Sequence, residues 1–112
     1  MDIMPDVVCV NLFLTEATDA DLAKLREHLE NLPELQALGL HGTRITDVGL
    51  QHLENLKGLQ YLELGDTEIG DAGLKHLMGM TNLEKLRLDD TQVSDDGIKE
   101  LQQALPNCRI FH

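Results

Sequence analysis

One pattern returns every 24 residues along this chain, and that spacing leaves few folds open. Leu35–Gly58 reads LQALGLHGTRITDVGLQHLENLKG, Leu59–Asn82 reads LQYLELGDTEIGDAGLKHLMGMTN, and a further copy starts at Leu83 as LEKLRLDDTQVSDDGIKELQQALPN. Leucines recur in the columns Leu35/Leu59/Leu83, Leu38/Leu62/Leu86 and Leu40/Leu64/Leu88, with Thr43/Thr67/Thr91 and Asp47/Asp71/Asp95 between them. Self-similarity at a fixed period of this length marks a stack of small units, each unable to bury its apolar face alone.

The opening copy is disguised. Shifted by 28, Val7, Val10, Leu12, Thr15, Ala17, Asp19 and Leu22 fall on Leu35, Leu38, Leu40, Thr43, Ile45, Asp47 and Leu50. After Leu25 the offset returns to 24, placing Leu29 and Leu32 on Leu53 and Leu56. The four extra residues amount to one helical turn, so the first helix is expected to be longer. The boundaries that follow are a lead over 1–6, repeats over about 7–34, 35–58, 59–82 and 83–107, and a closing strand over 108–112, all in a single domain.

Each repeat contains two periods. Alternation in LxxLxL places Leu38 and Leu40 on one face of a short strand and Ala37, Gly39 and His41 on the other. Leu50, Leu53 and Leu56 then follow a helical stripe. Thr18-Asp19, Thr46-Asp47, Gly70-Asp71 and Ser94-Asp95 have the chemistry of helix N-caps, where a short oxygen acceptor meets the first free amides. Helices are expected near 19–31, 47–56, 71–79 and 95–104, ended by Pro33, Gly58, Gly79 and Pro106. Strands joined through helices must run parallel. The threonine column, at the point where the chain leaves the sheet, is expected to bond the backbone of the neighbouring turn.

The pattern LxxLxLxxTxIxDxGLxxLxxLxx over residues 7–112 resembles the leucine-rich repeat family, in its bacterial-style 24-residue form. The resemblance implies an α/β solenoid with a parallel β-sheet on the concave side and α-helices on the convex side. It also implies a concave face that binds partners, usually proteins.

Strand alternation then names the residues of that face: Cys9, Asn11, Phe13 and Leu14; Ala37, Gly39, His41 and Gly42; Tyr61, Glu63, Gly65 and Asp66; Lys85, Arg87, Asp89 and Asp90. The expected partner contacts are His41, Tyr61, Glu63, Asp66, Lys85, Arg87 and Asp89, since Tyr and Arg are common anchors. Glu63 and Arg87 are also expected to pair across neighbouring strands. Phe13 and Leu14 are outward-facing apolar residues where later repeats carry polar ones or glycine. The lead segment, a second copy pairing through strand 1, or a longer repeat array would cover them. Self-association as a small scaffold is therefore the alternative function to partner binding.

Charge and motif content narrow the rest. Twenty acidic residues against nine basic ones give a formal charge of −11, which disfavours nucleic acid and anionic membrane surfaces. No apolar run reaches the ~20 residues of a membrane span. Cys9 and Cys108 fall in the first and last strands, roughly 19 Å apart at ~4.8 Å per strand. Free thiols and a reducing, cytoplasmic setting are expected. His28, His52 and His76 form a column on separate helices, too far apart to share an ion, and the Asp66, Asp89 and Asp90 group lacks a glycine-punctuated calcium loop. No metal, no cofactor and no catalysis are expected, because no nucleophile elbow, HExxH, CxxC or phosphate loop occurs.

Overall fold

A computed structural model of the chain describes residues 8–12, 16–32 and 34–112. Strand β1 (Val8–Asn11) leads to helix α1 (Asp19–Glu30), then β2 (Leu35–Gly39), α2 (Asp47–Leu50), β3 (Tyr61–Glu63), α3 (Asp71–Leu74), β4 (Lys85–Arg87), α4 (Asp95–Ala104) and β5 (Arg109–Phe111). The strands form one sheet in chain order, every neighbour parallel. Val10, Leu38, Leu62, Leu86 and Ile110 align across it, and the register shifts once, at a bulge between Val8 and Cys9. Leu40, Leu64 and Leu88 fill the next layer, and Leu53, Leu77 and Leu101 face them from the convex side, all at most 1% exposed. This is the α/β solenoid expected from the repeat.

The convex elements differ from expectation in the middle of the stack. Only α1 and α4 are full α-helices; α2 and α3 stop after one turn. Beyond α2 the chain continues on i→i−3 bonds, His52 to Gly49 and Leu53 to Leu50, and beyond α3 it tightens into a 3-10 turn over Lys75–Leu77. Parallel strands lie ~4.8 Å apart, whereas packed α-helices need 8–10 Å. The thinner 3-10 winding suits an element hemmed in on both flanks. The two full helices are the first and last of the described stack, each with a described neighbouring helix on one flank only. Leu32 illustrates the same end effect. It repeats Leu56, yet it is 40% exposed against 7%, with no described repeat on its outer side.

The aspartate column works differently from an N-cap. Thr18, Thr46 and Ser94 do cap their own helices, accepting from the N–H of Asp21, Val48 and Gly97 respectively. Asp19, Asp47 and Asp71, each at the first position of its helix, instead reach forward into the next repeat. Asp19 accepts from the Thr46 N–H at 2.8 Å and from its hydroxyl. Asp47 accepts from the Gly70 N–H at 2.7 Å. Asp71 accepts from the Ser94 N–H at 2.8 Å and from its hydroxyl at 2.5 Å. At Thr18, the first cap among the described residues, Asp21 takes both the N–H and the hydroxyl. The threonine column, by contrast, is local and does not bond the neighbouring turn as expected. The hydroxyls of Thr43, Thr67 and Thr91 donate to the carbonyls of Leu40, Leu64 and Leu88 in their own turns, at 2.7–2.8 Å.

The forward contact from Asp71 gives the fold an acid-sensitive joint. The Ser94 hydroxyl, and after it the Ser94 N–H, hold the Asp71 carboxyl below the usual range. A depressed acid stabilises the fold while ionised, so its contribution is present above about pH 3.9 and disappears as pH falls through its lower folded value. Thermal melts from pH 7 to 2.5 should show wild type losing its advantage over Asp71→Asn below about pH 4. A gap between the two proteins that is the same at both ends would contradict that role.

Candidate functional site: the concave face

Because the column Val10, Leu38, Leu62, Leu86 and Ile110 points inward, the side chains on either side of it line up in two rows across the outer face of the sheet. One row runs Cys9, Ala37, Tyr61, Lys85, Arg109; the other runs Asn11, Gly39, Glu63, Arg87, Phe111. Ala37 and Gly39 are too small to rise above the backbone. They floor an open cleft of about 200 Å³, walled by Cys9 and Asn11 on one side and Tyr61 and Glu63 on the other, and reaching Lys85 and Arg87. Tyr61 stands beside it, 40% exposed.

A charged network borders the cleft. Glu63 accepts from the Gly65 N–H at 2.7 Å through Oε1, which lies 3.7 Å from His41 Nδ1. Its Oε2 lies 3.4 Å from Arg87 Nε, and Arg87 also donates to Asp89 Oδ2 at 3.2 Å. A Cβ at Gly65 would crowd this network, lying 2.8 Å from His41 Nδ1, 2.9 Å from Glu63 Oε1 and 3.3 Å from the Asp89 carbonyl oxygen. Being fixed at several points, Glu63 and Arg87 are presented in one geometry, which lowers the entropy lost when a ligand is met.

The structure thus gathers His41, Glu63, Arg87 and Asp89 into one network, with Tyr61 and Lys85 side by side in the adjoining row. Asp66 stands apart. With φ of 52° it sits in the left-handed turn between sheet and helix, and it lines a polar groove along the loop edge with Asp90, whose φ is 58°. Aspartate tolerates that conformation better than most side chains. Phe13 and Leu14 lie outside the described residues. On the convex side His76 Nδ1 lies 3.0 Å from Glu54 of the preceding repeat, while His28 is exposed and His52 half-buried. Among the described residues no three metal-ligating side chains converge.

Two residues of the face do not figure among the expected contacts. Arg109 and Phe111 sit on β5, in register with Lys85 and Arg87. The charged ends of Lys85, Arg87 and Arg109 surround the Phe111 ring, at 5.6, 4.9 and 5.7 Å from its centroid. The same alternation, carried on by 24 residues, could have found both.

The cysteines stand as far apart as the sheet allows. Cys9 is exposed on β1, and Cys108 is buried just before β5, where burial pushes its thiol pKa up. No helix among the described residues is long and apolar enough to cross a membrane.

A stack of short parallel strands backed by helices, with leucine at the inward positions of the middle strands and valine and isoleucine in the first and last, defines a leucine-rich-repeat solenoid. The leucine rich repeat family model matches residues 33–93, and the chain belongs to that family. A comparison with curated proteins finds no match. Among solved structures it is similar to internalin C2 of Listeria monocytogenes, at 34% identity and a TM-score of 0.59 over 73% of this chain. The chain spans 33% of the length of that internalin. A leucine-rich-repeat protein of Leptospira interrogans matches at 24% identity and a TM-score of 0.61, covering 92% of this chain and 30% of the other. The second actin-binding site of leiomodin-1 matches at 19% identity and a TM-score of 0.73, covering 92% of this chain and 68% of the other. At such identities the last two show the fold alone.

Proposed function

We propose that the chain is a non-catalytic interaction module that receives a protein partner on its concave face. The observation that carries this reading is the floor of Ala37 and Gly39 beside exposed Tyr61 and the held Glu63–Arg87 pair. A floor without bulky side chains lets another backbone approach closely. An exposed aromatic and an arginine at its margin are the residue types that most often anchor interfaces. The fold is one typical of protein-interaction modules, and an internalin and an actin-binding segment of leiomodin share it. Two thiols held apart at the ends of the sheet suit a reducing compartment such as the cytoplasm.

Photocrosslinking tests the surface. With p-benzoylphenylalanine in place of Tyr61, a discrete adduct is expected in cells, and with the same group in place of exposed Lys99 on α4, none. Adducts only from position 99, or none from position 61, would overturn the reading.

A further inference from the structure

Lys85 and Arg109 are direct neighbours on β4 and β5. Like charges so placed repel. Twenty acidic residues are available to this chain, yet neither cation has a carboxylate within ion-pair distance among the described residues. Arg87, one strand position away, differs in being matched by both Glu63 and Asp89. The Phe111 ring partly offsets the repulsion through its negative face, and it holds both cationic ends beside one apolar plate. Two positive charges without an ion pair thus stand side by side at one end of the face, on a chain that is acidic overall.

Resting on the concave-face reading, we propose that Lys85, Arg109 and Phe111 form the docking point for an acidic, extended segment of the partner, whose carboxylates supply the counter-charges these two cations lack. The overall charge of −11 does not forbid this, because salt screens charges more than about 8 Å away and the local cations dominate. It does disfavour nucleic acid, whose affinity depends on many phosphate contacts at once. The floor at Ala37 and Gly39 on β2 lies three strands from β5, about 14 Å at ~4.8 Å per step. An extended chain covers that in about four residues at ~3.3 Å each. A short segment can therefore lay its backbone on the floor and its acidic side chains against Lys85 and Arg109.

Fluorescence anisotropy with labelled hexaglutamate, hexalysine and a glycine-serine peptide tests this. Hexaglutamate should bind more tightly than the neutral peptide and hexalysine should not. Raising salt from roughly 0.05 to 0.5 M should weaken the binding. Lys85→Gln/Arg109→Gln should lose about tenfold in affinity, with a circular-dichroism melt showing that the variant is folded. Hexaglutamate binding no better than glycine-serine, or equally to the double variant, would overturn the proposal. If that happens while position 61 still crosslinks its partner, the concave-face reading stands and the acidic segment alone is rejected.

Discussion

Gly73→Ala is expected to destabilise the protein although alanine is the better helix former. In α3 the exchange should gain about 1 kcal/mol of helix propensity. The added Cβ, however, would lie 2.6 Å from Asp47 Oδ1, 3.0 Å from Leu50 Cδ1 and 3.2 Å from the Asp47 backbone. Overpacking of that kind costs about 1–3 kcal/mol, and moving Asp47 also endangers its bond to the Gly70 N–H, worth about 1.5–3 kcal/mol with a charged acceptor. The glycine and the aspartate of the repeat are therefore one device, split between neighbouring repeats. Urea unfolding of Gly73→Ala, Asp47→Ala and the double variant should show the double falling short of the summed losses by about 1 kcal/mol or more. Strict additivity would separate the two residues.

The largest loss is expected at Leu64. It is 0% exposed beside the central strand, with a repeat on either side. Truncating a buried leucine to alanine costs about 2–5 kcal/mol, most where the surroundings cannot collapse into the space. Since a domain of this size has about 5–15 kcal/mol in total, Leu64→Ala should unfold at far lower urea and as one unit, because each repeat is held chiefly by its neighbours. Leu29→Ala, on α1 at an open end, should cost less. Equal losses at the two sites, or a Leu64→Ala midpoint unchanged from wild type, would refute this account of the core.

Much of the fold was legible because its cause is periodic. Leu38, Leu62 and Leu86 share a column for the same reason that they share a layer, and the alternation that buries them also brings Tyr61 and Glu63 to the other face. What stayed hidden depends on neighbours. An aspartate after an N-cap looks the same whether it serves its own helix or crosses to the next repeat, and partners 23–27 residues apart leave no local signal. The segments DVGLQHL and DDGIKEL carry near-identical patterns, yet one winds as a single α-turn followed by tighter turns and the other as a full helix. The difference is that α4 has a described neighbouring helix on one flank only. Arg109 and Phe111 were within reach of the pattern, but a closing strand reads as an end before it reads as a surface.

The forward-pointing aspartates also bear on how the protein is made. Asp19 precedes Thr46 in the chain, Asp47 precedes Gly70, and Asp71 precedes Ser94. During synthesis, at about 5–20 residues per second, each acceptor leaves the ribosome before the amide it will receive. Thr18 waits for nothing upstream, since Asp21 follows within the same helix. The stack can therefore lock in the order in which it is translated, every new repeat closing onto a template already in place.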